Sequence, residues 1–530
     1  MTQQPRTSGA PARPAWVDAD RIARMTRWVS RSDDNGADPI EPLAPYDGRP
    51  TARVPASTAG DVALAATAAR LAQGPWAQLP AGTRAAVVLR FHDLLLERQD
   101  EVIDLIQWEM GKNRFSAWQE IPQVATIARH YARHGGEYLK PHRVRGAMPG
   151  LTKVQEVRVP KGVVGIISPW NYPLYLGVGD VIPALLAGNA VVSKADSQTP
   201  LTLLWTRDLM AEAGLPEDLW KIVAGPGSVV GNALIDHVDH ICFTGSTATG
   251  RQVGRRAGER LISASLELGG KNPMIVRADA DVAAAAAGCI AAAFANTGQM
   301  CIHIERVIVH DDVYDAFRSA LLEGVAALRI GQSYTFAHDI GSLASPAQLT
   351  AVSGHVDDAR KGGATVLAGG HHRLDLGPLV YAPTVLEGVT GEMDVCLEET
   401  FGPVVSLYRV SSDAEAIARA NEGSYGLSAS IWSRDTARAE EMAPRVRAGS
   451  VNINDGAGAA AGSIEAGMGG MGDSGIGRRH GAEGIRKYTE SQTIATQRLV
   501  PFGPPPSMEV PRFVGLVNTQ LKVLRKLRVR

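Results

Sequence analysis

The sequence predicts an α/β protein with two blocks of alternating strands and helices. Three observations carry this reading. From Lys161 onwards, short apolar runs bounded by Gly, Pro or Asn alternate with stretches of helical spacing. A second alternation of the same kind follows Gly269-Gly270. The length, 530 residues, leaves room for about three domains and a large buried core. Such alternation implies a parallel, doubly wound sheet whose ligands sit at the carboxyl ends of the strands.

The elements can be justified in order. Residues 1–38 are polar and turn-rich and read as a flexible arm. Asp61–Gln73 and Ala81–Gly111 repeat apolar residues at helical spacing. Val163–Ser168 is an apolar run that ends in the Pro169-Trp170-Asn171-Tyr172-Pro173 turn. A helix to Leu186 follows, then the strand Ala190–Lys194. Thr199-Pro200 supplies an N-cap and first turn for a helix that stops at Gly214. Lys221–Ala224 and His240–Phe243 are further strands. In the second block, Lys271–Val276, Ile302–Val309, Val404–Val410, Leu427–Trp432 and Ser450–Asn454 read as strands. Asp281 caps an Ala-rich helix towards Ala295, and Asp312–Leu328 and Ala414–Asn421 are helical. Beyond Pro501 a basic amphipathic tail mixes Leu and Val with Lys and Arg, suited to an anionic membrane surface, a neighbouring subunit or solvent.

Composition narrows the function classes. The 54 Lys+Arg balance 55 Asp+Glu to a net charge of -1, which gives no general attraction to nucleic acid. Four cysteines without close pairing point to neither a disulfide framework nor a metal site. No secretory signal or membrane-length apolar run stands out, so a cytoplasmic enzyme is expected.

Cys301, in Asn296-Thr297-Gly298-Gln299-Met300-Cys301, lies between the Ala-rich helix and a strand. A thiolate there could attack an electrophilic carbon, although a cysteine taken alone is more often a small buried hydrophobe. Glu267, beside Gly269-Gly270, is a candidate general base or a mere ion-pair partner. Asn171 offers an amide to an oxyanion, or simply makes a turn. Gly225–Gly231 is a poor dinucleotide fingerprint, with one residue too many. Phe243-Thr244-Gly245-Ser246 is better placed, because it follows a strand and opens a helix.

Together these residues resemble the aldehyde dehydrogenase superfamily over about residues 40–500. The segments that carry the resemblance are Pro-Trp-Asn171, Phe-Thr-Gly-Ser246, Glu267-Leu-Gly-Gly, Gly298-Gln-Met-Cys301 and Glu399-Thr-Phe-Gly-Pro403. The resemblance implies a Rossmann-like dinucleotide domain over 39–136 and 160–268 and an α/β catalytic domain over 269–483. A small β flap for oligomerisation, formed by 137–159 and 484–500, would make a homodimer or homotetramer. It implies Cys301 as nucleophile, Asn171 as oxyanion donor and Glu267 as the base that hydrolyses a thioester. Trp170, Lys194, Ser197, Gly245, Ser246, Glu399 and Phe401 would bind the cofactor, and no metal is implied.

NAD-preferring members carry a glutamate where this chain has Ser197, so the resemblance implies NADP, with NAD open because Asp196 lies next door. Long matches around Cys301–Arg306, Ser353–Asp358 and Gly467–His480 are similar to NADP-dependent succinate-semialdehyde dehydrogenases of the second, actinobacterial type. Two arginines that hold the substrate carboxylate in better-known members are Ala295 and Gly179 here. His303, Arg306 or Arg478 could replace them, although a strand-end ion pair is the preferred reading for Arg306. The rival readings are an enzyme for uncharged aldehydes and a catalytically silent relative.

Overall fold

The computed structural model describes residues 13–33, 35–147, 151–498 and 503–528. Six strands form the first sheet, in the spatial order Gly475–Ile476, Ser263–Glu267, His240–Thr244, Val163–Ile167, Ala190–Lys194 and Trp220–Val223. All neighbours are parallel except Gly475–Ile476, which runs antiparallel to Ser263–Glu267. The central strands are buried along nearly their whole length, which is why they read as continuous apolar runs without alternation. Strand order reverses between Val163–Ile167 and His240–Thr244. That crevice is where an open α/β sheet receives a ligand.

Seven strands form the second sheet, in the order Thr365–Ala368, Thr384–Glu387, Val404–Val410, Ile304–His310, Asn272–Val276, Ser428–Trp432 and Ser450–Ile453. Only the first pair is antiparallel. The third sheet joins distant segments. Thr489–Gln497 pairs antiparallel with Thr152–Pro160 over nine residues, and His142–Val144 lies on the other side.

Several expectations need correction. The arm is folded from residue 13 on, at least in part. Helix Ala19–Thr26 buries Met25, Val17 and Val29 are also buried, and Val29 bridges to Ile222. Arg24 and Arg27 both pair with Asp208. Residues 1–12 lie outside the described chain. The single helical stretch over Ala81–Gly111 is two helices, Ala81–Glu97 and Gln99–Met110, because Arg98 leaves helical geometry at φ -111°, ψ 22°.

Thr199 precedes helix Pro200–Glu212 as expected, but its side chain makes no cap. The buried Glu109 carboxylate does so instead, accepting the N–H groups of Leu201 at 2.6 Å and Thr202 at 2.8 Å. An acceptor from another helix satisfies the same orphan donors. The tail forms helix Val510–Lys526, with Phe513 in its first turn.

Candidate active site

The Ala-rich helix Val282–Phe294 stops short of Cys301, and the connection is strained. Asn296 and Thr297 hold left-handed backbone at φ 51° and 57°, and Gly298 follows at 71°. A Cβ on Gly298 would lie 2.0 Å from the Gly402 carbonyl oxygen, so only glycine fits. Buried hydrogen bonds hold this conformation. Asn296 Nδ2 donates to the carbonyls of Asn171 at 3.1 Å and Gln299 at 2.9 Å, and Gln299 Oε1 accepts the Ala344 N–H at 2.9 Å. Strain of this kind persists only where surroundings over-determine it.

Asn171 is clamped from below. Lys112 Nζ donates to the Asn171 carbonyl at 2.7 Å and to Glu120 Oε1 at 2.9 Å. Glu120 Oε2 in turn accepts the N–H groups of Leu174 and Tyr175, both at 2.9 Å. The Asn171 side chain donates one N–H to the Gln299 carbonyl at 3.0 Å, which leaves its second N–H to serve a ligand.

Glu267 ends its strand beside Cys301, buried, and its Oε1 has no hydrogen-bond partner. Burial pushes its pKa up to about 7, with Arg479 and Lys487 pulling the other way. Arg479 Nε and Nη2 grip Asp180 Oδ2 at 3.0 and 2.7 Å, and Nη2 also reaches Thr244 Oγ1. Lys487 and the Tyr488 hydroxyl reach Asp180 Oδ1 at 2.8 and 2.7 Å. Burial alone would raise the Asp180 pKa, but the two cations hold it well below the carboxylate range. The Cys301 thiol is pushed up to about 12 by burial, with the Glu267 and Glu399 carboxylates adding to the shift.

Two cavities meet at this point and share Leu176, Glu267 and Cys301 as their common wall. The larger, about 560 Å³, is lined by apolar groups that include Trp118, Tyr172, Trp432, Ile464 and Met468. The smaller, about 230 Å³, lies at the reversal point of the first sheet and is lined by Trp170, Asn171, Gly245, Ser246, Glu399 and Phe401.

The smaller cavity has the features of a dinucleotide site. Ser246 caps helix Thr247–Glu259, its Oγ accepting the Thr249 N–H at 3.4 Å, so the helix N-terminus faces the cavity rim. A Cβ on Gly269 would come 2.5 Å from the Glu399 carboxylate, so backbone must approach there bare. Burial, with Glu305 adding, raises the Glu399 pKa to about 7, and its Oε1 accepts the Gly270 N–H at 2.9 Å. The Phe401 and Trp170 rings meet edge to face at 5.6 Å, and Phe401 is held at φ 53°.

Sequence reasoning missed the group that builds this turn. Glu305 accepts the N–H groups of Thr400 and Phe401 and pairs with Lys271 and His303. Burial opposes its charge, but Lys271 and His303 hold its pKa well below the usual range. Lys194 and Ser197 lie outside the cavity, at the carboxyl end of Ala190–Lys194. Asp196 Oδ1 accepts the Gln198 N–H at 2.8 Å in a local turn.

The proposed substitutes for the missing arginines do not line the larger cavity. His303 is bound to the Met300 carbonyl and Glu305. Arg306 forms no strand-end ion pair. It donates instead to the carbonyls of Lys271, Arg419 and Ala420, capping the end of helix Asp413–Ala420. Arg478 donates to the Gly470 and Gly477 carbonyls. Ala295 lines the cavity, whereas a Cβ at Gly179 would already crowd the Tyr175 carbonyl at 2.7 Å. The cation that does line it is Arg479, one residue beyond the arginine singled out from sequence. A trio of metal-ligating type, His130, His134 and Glu465, lines neither cavity.

A thiol, a carboxylate and an amide meet at the junction of an apolar cavity and a dinucleotide-type cavity, an arrangement suited to oxidising a carbonyl carbon. The aldehyde dehydrogenase family matches residues 28–494, and the chain belongs to it. It is 49% identical over 514 residues to a protein of Mycolicibacterium smegmatis named "Putative succinate-semialdehyde dehydrogenase [NADP(+)]", covering 97% of this chain and 99% of that one. It is 37% identical to a vanillin dehydrogenase of Corynebacterium glutamicum, over 91% of this chain and 99% of the relative. Among solved structures, the succinate-semialdehyde dehydrogenase of Burkholderia pseudomallei superposes with a TM-score of 0.84 at 34% identity, over 88% and 95% of the two chains.

Proposed function

We propose that this chain oxidises succinate semialdehyde to succinate with NADP, through Cys301. The observation that carries the reaction class is the shared wall of the two cavities, where thiol and carboxylate stand together. Glu267, with a pKa near 7, takes the proton of the Cys301 thiol as sulfur bonds to the aldehyde carbon. The free Asn171 amide N–H and the Cys301 backbone N–H stabilise the oxyanion of the resulting thiohemiacetal. Trp170, Gly245, Ser246, Glu399 and Phe401 would hold NADP, which would supply the hydride acceptor, and Lys194 and Ser197 would read its 2′-phosphate. Glu267 then activates water against the Cys301 thioester, releasing the acid and restoring the thiol.

The substrate and cofactor rest on the 49% identical relative and its name. The Arg479 guanidinium is the group we assign to the distal carboxylate. A second reading, an uncharged aliphatic or aromatic aldehyde, is favoured by the apolar lining of the larger cavity and by the vanillin dehydrogenase relative. We also propose that the three-stranded sheet, whose long outer strand Thr489–Gln497 exposes most of its side chains, forms the subunit contact of a dimer or tetramer. In this arrangement residues 39–136 and 160–268 bind the cofactor and 269–483 carry the nucleophile.

The test is kcat/KM for succinate semialdehyde, butanal and vanillin, each with NADP and with NAD. A tenfold advantage for succinate semialdehyde with NADP supports the first reading, and equal or better rates with vanillin favour the second. A preference for NAD removes the role given to Ser197.

A further inference from the structure

Helix Val510–Lys526 buries no residue, and no hydrophobic cluster of the described chain includes any part of it. Several of its large apolar side chains face solvent: Val510, Leu516 and Leu521 are 60%, 54% and 59% exposed, while Phe513, Val517 and Leu524 are half-buried. Most helical stability in proteins comes from burying an amphipathic face, and this 17-residue helix buries none of its own. Something outside the described fold must supply that burial.

The sequence of the helix indicates what. At 100° per residue, Val510, Phe513, Val514, Val517, Leu521 and Leu524 fall on one half of the wheel, with Leu516, Val523 and Leu527 at its margin. The opposite half carries Arg512, Lys522 and Lys526, with Arg525 beside Val514 at the edge of the apolar half. Residues 510–530 contain six Lys+Arg and no Asp or Glu, in a chain whose net charge is -1. A protein partner would normally be met with charges of both signs around an apolar seam. Apolar residues on one half and unrelieved positive charge on the other match a plane that is greasy below and negative at its surface. The helix cannot span a bilayer, since no helix of the described residues is long and apolar enough.

We propose that helix Val510–Lys526 docks the enzyme, lying flat, on an anionic lipid surface. Val510, Phe513, Val517, Leu521 and Leu524 enter the headgroup boundary, while Arg512, Lys522, Arg525 and Lys526 contact lipid phosphates. Arg528 and the sequence-distal Arg530 add to the same field.

Co-sedimentation of the full chain with vesicles tests this, using phosphatidylcholine alone and an equal mixture with phosphatidylglycerol. Pelleting is expected with the mixture only, weakening as salt is raised. The triple variant Lys522→Gln/Arg525→Gln/Lys526→Gln should bind the mixed vesicles about a hundredfold more weakly. Leu521→Gln/Leu524→Gln should also lose binding, and both variants should keep wild-type turnover of a short aldehyde. The proposal is overturned if wild-type protein stays in the supernatant at low salt, or if the triple variant pellets as well as wild type. It is equally overturned if the leucine variant changes the mass measured by light scattering, which would make the helix a contact between copies of the chain.

Discussion

Lys112 and Glu120 form a 2.9 Å ion pair with both side chains fully buried, and the pair bears the turn that presents Asn171. Breaking such a pair leaves one buried charge uncompensated, which typically costs about 3–5 kcal/mol. Lys112→Met should therefore lower the urea midpoint strongly, and Lys112→Met/Glu120→Gln should recover part of the loss. Equal destabilisation by the single and double variants would show that the pair is not the source.

In the proposed mechanism, Asn171→Ala removes the donor to the developing oxyanion. The expected loss is about 10²–10³ in kcat with little change in KM. Pre-steady-state measurement of the first turnover would place the defect in adduct formation or hydride transfer. A change confined to KM would move Asn171 from catalysis to ground-state binding.

The Glu267 pKa near 7 gives the rate a definite pH dependence. A base works ionised, so kcat should climb as pH rises through about 7 and level off above it. Arg479 favours the ionised form of Glu267, so Arg479→Leu should shift the climb to higher pH, and Arg479→Lys should largely restore it. Glu267→Gln should slow thioester hydrolysis, yielding at most a burst of reduced cofactor equal to the enzyme present. A profile unmoved by Arg479→Leu would separate the two groups.

Cofactor choice should turn on position 197. Ser197→Glu introduces a carboxylate near Lys194 that would repel a 2′-phosphate. With repulsion between two like unit charges worth about 4 kcal/mol at 4 Å near a protein surface, NADP efficiency should fall about tenfold or more while NAD efficiency holds or rises. Titration of cofactor binding by protein fluorescence checks this independently of turnover.

What could be read from sequence followed the physics of each element. Ala190–Lys194 and Val404–Val410 were found to the residue, because each run carries paired valines and turn residues bound it. Thr152–Pro160 and Thr489–Gln497 are polar on exposed faces and pair across more than three hundred residues, so no local pattern marks them and only the family resemblance did. Lys112 and Glu120 look like surface charges in a sequence, and burial is a property of the fold. The cap on Pro200–Glu212 was assigned to Thr199 because caps are ordinarily local, yet Glu109 supplies it from about ninety residues away. Arg478 and Arg479 are neighbours of one type, and only the backbone decides which one faces the cavity.

The wall between the two cavities is only a few side chains thick, and Cys301 is one of them. Traffic to the sulfur therefore arrives along two separate routes, and neither visitor need step aside for the other. Carboxylic acid lingering in the apolar route would slow the enzyme without contesting the nucleotide's berth, giving noncompetitive inhibition against the cofactor. Vacating the nucleotide route, in turn, opens a second path for water to the acylated cysteine. The timing of that departure would then set how long the enzyme stays acylated.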